Sequence, residues 1–416
     1  MSLKFRLVIL SFLQYFIWGS WLISLGSYLG NVLGFDGIQI GSIFGAMGIV
    51  SLFMPGLLGI VADRWIPAQK LLGICHLLGA IFLILASFQR EYFPFYILMF
   101  LNVMFYMPTI SLSNAVAYNA LEEAHYDIVK DFPPIRVWGT IGFICAMWTV
   151  DLTGFKYSQV QLYVAATAAL LLGIYSFTLP PCKINKTQEK KSLVDALGLR
   201  AFSLFKQKTM AIFFIFSMLL GASLQITNGF GDLFLRSFEK MPEYVNSFGV
   251  KHSVILLSIS QMSETLFILA IPFFLKKFGI KKVMLISMIA WVFRFGLFGL
   301  GNPGERLWML ILSMIVYGMA FDFFNISGSL FVEQSTDSSI RASAQGLFMI
   351  MTNGLGATMG SYLAGMVVDK FVTHAAVPSW STAWFIFSGY ALVVAILFAI
   401  LFKYKYEPEK SPEISH

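Results

Sequence analysis

Charge is scarce in this chain: its 416 residues hold 29 Lys and Arg and 22 Asp and Glu, 12% in all, against 57% hydrophobic residues. A soluble domain of that composition, with a mean hydropathy of +0.75, would expose more apolar surface than water tolerates. Cysteine is scarcer still. Cys75, Cys145 and Cys182 form no CxxC pair and have no His at ligand spacing, which argues against a disulfide framework or structural zinc. No ATP-binding motif, His-rich cluster or Ser-His-Asp arrangement is present, so an ATP-driven pump or a polytopic enzyme lacks its chemistry. No metal or cofactor is called for. The net charge of +7 does not point to nucleic acid, because the basic residues sit between apolar runs rather than along one polar face.

What the chain does have is apolar runs, each long enough to cross a bilayer in about 20 residues. Twelve are expected, at roughly 7–33, 38–62, 71–88, 93–119, 135–152, 158–179, 210–232, 253–275, 283–301, 307–332, 342–368 and 382–402. The first follows Lys4 and Arg6 but is too long for a signal-peptide core and lacks a small-residue cleavage site, so it reads as a retained helix. An even number of crossings puts both termini on one side. Twenty of the 29 Lys and Arg then fall on the termini's side, seven on the other and two within runs, which places both termini in the cytoplasm.

The longest break, residues 180–209, begins Pro180-Pro181 and separates six runs from six. The chain divides accordingly into an N-terminal half (1–179), a cytoplasmic linker (180–209), a C-terminal half (210–402) and a cytoplasmic tail (403–416). Asp63-Arg64 and Lys276-Lys277 each follow the second run of their half, and Ile135-Arg136 and Ile340-Arg341 each open the fifth. Two six-helix halves with such echoes resemble the major facilitator fold, an all-α membrane protein whose halves rock about a central site.

Arg136, Glu264, Arg294 and Asp322 fall inside runs, where a charged side chain costs about 2.5–3.5 kcal/mol on insertion scales. A buried ion pair or a snorkelling side chain would account for each; Arg294, whose neighbours are phenylalanines, is expected to be of that kind. The others keep company. Residues three, four and seven apart share a helix face, which groups Arg136, Thr140 and Phe143 in the fifth run, Gln225 with Asn228 in the seventh, and Gln261 with Glu264 in the eighth. The tenth run offers Tyr317, Phe321, the adjacent Asp322 and Asn325; the first adds Gln14, Trp18 and Trp21. Such a set suits a flat, uncharged solute rich in hydrogen-bonding groups, because rings stack on aromatic faces while amides and carboxylates satisfy polar atoms removed from water. A nucleoside or a sugar fits. Burial disfavours the charged form of a lone carboxylate, which makes Asp322 a natural proton carrier, while Gln261 gives Glu264 an amide neighbour and a ligand role. His76, with no acidic neighbour at helical spacing, is expected to be a packed or lipid-edge residue.

Longer stretches carry a resemblance. Leu10-Ser11-Phe12-Leu13-Gln14 through Trp18-Gly19-Ser20-Trp21, Asp131-Phe132-Pro133-Pro134-Ile135-Arg136-Val137-Trp138-Gly139-Thr140, Leu224-Gln225-Ile226-Thr227-Asn228, Ser260-Gln261-Met262-Ser263-Glu264-Thr265 and Tyr317 to Gly328 are similar to the bacterial nucleoside:proton symporters of the major facilitator superfamily. The resemblance runs nearly end to end. It implies nucleoside uptake coupled to proton entry across a bacterial inner membrane, by a chain expected to act as a monomer among lipids. It also implies nucleoside contacts from Arg136, Thr140, Phe143, Gln225, Asn228, Gln261, Glu264, Tyr317 and Phe321, with Asp322 as the coupling residue. Ser223 departs from the family, which can carry an acid two residues before Gln225. A sugar symporter is the first alternative, and a drug exporter would need fewer paired amides.

Overall fold

The computed structural model describes residues 2–182, 199–337 and 340–404. Most of the expected 180–209 linker and of the 403–416 tail lies outside the described residues. Among the described residues the long helices number twelve, in two groups of six, with the segments of each broken helix taken together. The first group comprises α1 (residues 3–33), α2 (37–64), α3 (Ala68–Ser87), α4 (Tyr92–Glu123), α5 (Ile128–Leu152) and α6 (Val160–Ser176). The second comprises α7 (208–237), α8 (253–278), α9 (280–300), α10 (Leu307–Ser335), α11 (341–373) and α12 (Trp380–Leu401).

Local chemistry sets the breaks. Asp36 caps α2 through a capping box with Gln39, and α2 bends by 41° after Ser51, restarting with Pro55 in its first turn, where a missing N–H costs nothing. Gly279, at φ 74°, turns α8 into α9 in a left-handed conformation that costs glycine little. α5 starts earlier than its apolar run, at Ile128, so Pro133 and Pro134 lie inside the helix rather than ahead of it. Membrane helices accommodate such prolines where neighbours satisfy the freed carbonyls.

Along α2, Gly37, Gly41, Gly45 and Gly48 line one face and meet Gly354, Thr358, Ser361 and Gly365 of α11. With no side chains on the α2 side and only small ones on α11, the two backbones touch: a Cβ on Gly41 would collide with the Ser361 carbonyl, and one on Gly365 with the backbone of Gly37. This seam joins the halves.

The polar contacts described between the halves run from that seam to the face away from the termini. Lys156, in the α5–α6 turn, is buried and donates to Asp151 (3.1 Å), to the Lys251 carbonyl (2.7 Å) and to Ser253 Oγ (3.2 Å). Asp151 also accepts from the backbone N–H groups of Val254 and Ile255, at the start of α8, and pairs with His252 at 2.8 Å. Ser253 in turn donates to the buried Asp232 of α7. Arg236 of α7 reaches Ser27 of α1 at 2.9 Å and lies over the Tyr157 ring at 4.2 Å. Asp369, near the end of α11, accepts from the first N–H groups of α2, Gly37 and Ile38, where the helix dipole favours a carboxylate. On the termini's face the described ion pairs Lys4–Asp131 and Arg341–Glu333 each stay within one half.

Candidate substrate and coupling site

Two helices that open their halves are broken at matching points. α1 is interrupted over residues 20–24 and α7 over residues 222–225. In lipid an interruption is tolerated only where protein or a polar cavity supplies partners for the freed backbone, which is how broken helices come to mark transport sites. Gln225 stands at the entry to the second segment of α7, and its Oε1 accepts from Asn228 Nδ2 at 3.0 Å. Both amides are half-buried.

α5 supplies the opposing wall. Arg136, Thr140 and Phe143 follow one face, with the Arg136 guanidinium over the Tyr15 ring at 4.0 Å and the buried Phe143 meeting Trp18 edge-on at 6.2 Å. α8 presents Gln261 and Glu264, half-buried on one face. Glu264 lies within electrostatic reach of Arg136 and Tyr15 across the interface, and of Tyr317 and Asp322 within its own half. Arg136 and Glu264 do not close to a direct ion pair. The amide partner expected for Glu264 in Gln261 is not found either: no hydrogen bond joins the two side chains, and the opposite charge that Glu264 feels is the Arg136 guanidinium across the interface. On α10, Tyr317 stacks parallel to Phe321 at 5.8 Å, interplanar angle 10°. Asp322 is buried, 5% exposed, and its Oδ2 has no hydrogen-bond partner.

The structure therefore gathers Tyr317 and Asp322 around Glu264 within the C-terminal half and sets Arg136 within reach of Glu264 from the other half, while the Gln225–Asn228 pair stands at the α7 break and the rings of Phe143, Tyr317 and Phe321 line α5 and α10. It separates others. Gln14 is fully buried, donating to Thr109 Oγ1 at 2.8 Å and meeting His76 Nε2 at 2.9 Å, so it knits α1 to α3 and α4. Trp21 is buried as well. His76 is a packed residue with a defined partner, not one at the lipid edge. An apolar groove of about 430 Å³ between α1 and α6, lined by Phe12, Phe16, Tyr163 and Leu171, lies on a different face of α1 from these polar groups.

Sequence reasoning missed the cluster of Asp151, Lys156, Asp232 and Arg236. The signal was available: two acids at the ends of the fifth and seventh apolar runs and two cations just beyond those runs, all at the same membrane face. It also left Arg294 without a polar partner, because its partners come from three other helices.

Comparison with known proteins decides the family. The nucleoside H+ symporter family matches residues 1–407. The chain belongs to the nucleoside:proton symporters. It is 52% identical to the nucleoside permease NupG of Escherichia coli K12 over 419 residues, covering 100% of both chains. It is 54% identical to the xanthosine permease of the same organism, covering 99% of this chain and 98% of that one. The crystal structure of nucleoside transporter NupG superposes with a TM-score of 0.92 at 53% identity, over 97% of this chain and 100% of that chain. As a member of this symporter family, the chain is a secondary transporter of the major facilitator fold that imports nucleosides with protons. The sugar and drug-export alternatives fall away with that assignment.

Proposed function

We propose that nucleoside and proton share one site between the halves. The observation that carries this reading is Glu264 within electrostatic reach of Arg136 across the interface and of the buried Asp322 in its own half, one of whose oxygens is unpartnered. The nucleoside is held by Arg136, Thr140 and Phe143 from α5, Gln225 and Asn228 from α7, Gln261 and Glu264 from α8, and Tyr317 and Phe321 from α10. The rings take the base, and the amides, hydroxyl and charged groups take its edge and the sugar hydroxyls. Asp322 carries the proton. A buried carboxylate without a cation partner is costly to keep charged, so loading it with a proton lets the halves close around the site and its release lets them part.

The halves are residues 1–179 and 210–402, joined by a cytoplasmic linker at 180–209, and both termini and the 403–416 tail face the cytoplasm of a bacterial inner membrane. The excess of Lys and Arg on the termini's side supports that orientation. The protein works as a monomer surrounded by lipid, with no cofactor, no enzymatic step and no nucleic-acid partner. Uptake of radiolabelled uridine by cells expressing this chain tests the reading: it is expected to saturate and to be abolished by a protonophore, and saturable uptake indifferent to the protonophore would remove the proton from it.

In this orientation the Lys156 cluster closes the periplasmic face. Replacing Lys156 with Met leaves Asp151 without its buried cation, at a cost of about 3–5 kcal/mol to the closed arrangement. The variant is expected to expose the outer end of α1. The check is the rate at which an impermeant maleimide labels a cysteine placed at Leu25, buried here, after Cys75, Cys145 and Cys182 are replaced. A faster rate is expected; an unchanged rate would show that the glycine seam alone holds this face shut.

A further inference from the structure

Arg294 is a cation deep in a membrane helix, 2% exposed, with no carboxylate paired to it among the described residues. Its Nη1 donates to Ser260 Oγ at 3.2 Å and to the Ser313 carbonyl at 3.0 Å, its Nη2 donates to Thr227 Oγ1 at 3.2 Å, and its plane covers the Tyr317 ring at 4.5 Å. Ser313 Oγ returns a bond to the Arg294 carbonyl at 2.7 Å. These partners belong to α7, α8 and α10, the three C-terminal helices that carry the candidate site. Thr227 sits between Gln225 and Asn228, Ser260 precedes Gln261, and Tyr317 is itself a candidate ligand.

We infer that Arg294 is a positioning residue for the nucleoside site: from outside the cavity it sets the rotation of the second α7 segment, the register of α8 and the tilt of the Tyr317 ring. Four features carry the inference beyond ordinary helix packing. A guanidinium is an expensive way to fill a buried site, and apolar side chains would pack there without that cost. Its planar fork is the one side chain that reaches several oxygens in fixed directions while offering a cation to a ring face. The segment it holds in α7 follows a break, so the α-helical ladder of residues 208–221 does not set the direction of Gln225 and Asn228. Tyr317 is held by the guanidinium over its ring and by Trp291, set perpendicular to it with ring centroids 5.9 Å apart, and passes its orientation to Phe321 through their stacking.

The inference rests on the site proposed above and is tested beside it. Uridine uptake is measured as KM and maximal rate at matched surface expression for Arg294→Met, Arg294→Lys, Thr227→Val and Ser260→Ala. Loss of one net hydrogen bond is worth about 2- to 10-fold and loss of bonds to a charged donor about 10- to 100-fold. Arg294→Met is therefore expected to raise KM by about 10-fold or more with a maximal rate within about twofold of the native chain. Arg294→Lys keeps the charge without the fork and is expected to recover only part of that loss. Thr227→Val and Ser260→Ala, mild enough to fold if Arg294→Met does not, are each expected to raise KM by about 2- to 5-fold. Added to Arg294→Lys, either is expected to give less than the product of the single effects, because the partners act through one group. Unchanged KM in Thr227→Val and Ser260→Ala, or a fall in maximal rate at constant KM, would overturn the positioning role. If Gln261→Ala and Glu264→Gln also left KM unchanged, the site itself would be misplaced; if they raised it while the Arg294 series did not, only this inference would fail.

Discussion

Asp322→Asn is expected to abolish uphill accumulation of nucleoside while leaving nucleoside binding in place. The native carboxylate is buried, with one oxygen unpartnered, and sits in the electrostatic field of Glu264. An amide of the same shape fills that volume and keeps its neighbours packed, but it neither gains nor releases a proton. One pH unit across the membrane stores 1.36 kcal/mol per proton, so a transporter moving one proton with each nucleoside concentrates it about tenfold per unit. With Asn at this position the accumulation ratio is expected to fall to about one whatever pH gradient is imposed, with exchange of labelled for unlabelled nucleoside continuing, because the halves can still rock with the solute bound. The check is the internal-to-external ratio of labelled uridine in vesicles at fixed pH gradients. Accumulation undiminished at normal expression would remove Asp322 from the coupling role.

Glu264→Gln is expected to weaken nucleoside binding by about 10- to 100-fold, the range for a hydrogen bond made by a charged group in a buried site. The substitution conserves volume, so packing is not the cause. It takes away the negative charge facing Arg136 and turns an acceptor-only group into one that also donates. Gln261→Ala on the same face is expected to cost less, about 2- to 10-fold, as befits a neutral amide. Equilibrium binding of uridine to purified protein separates these effects from changes in turnover. Unchanged affinity in both variants would move the nucleoside off α8.

The fold was legible because the membrane restricts the choices. Twelve apolar runs, a break after the sixth and the lopsided distribution of Lys and Arg follow from hydrocarbon thickness and charge alone, and all twelve helices stand close to where the runs put them. Boundaries were less legible where hydrophobicity gives out before the backbone does: α5 begins at Ile128, seven residues ahead of its run, through a segment whose prolines argue for a start rather than an interior. The α2–α11 seam shows how a pattern can be visible and its meaning not. The glycine spacing from Gly37 to Gly48 is plain in the sequence, but the partner helix is three hundred residues away.

The candidate site was legible wherever its groups share one helix face, as with Arg136, Thr140 and Phe143. Pairings between helices were not. Glu264 feels the charge of Arg136 from the other half and makes no bond to Gln261 of its own helix, and Arg294 takes its oxygens from three helices. Gln14 looked like a site amide by spacing, yet helical spacing fixes a face and not which neighbour that face meets, and α3 and α4 enclose it. The Lys156 cluster went unread for the same reason: its charges can be listed at one membrane face, but which of them meet cannot, since they belong to α5, the α5–α6 turn, α7 and the α7–α8 connection.

The central claim is that one site couples nucleoside to proton through Asp322. It is tested most directly by reconstituting the native chain and Asp322→Asn in liposomes containing a pH-sensitive dye and adding uridine outside, with no pH gradient imposed. In the native chain uridine entry is expected to acidify the lumen, with a matching uridine flux, and Asp322→Asn is expected to admit uridine without moving the dye signal. Acidification by Asp322→Asn equal to that of the native chain, or uridine entry through the native chain with no acidification, would contradict the account.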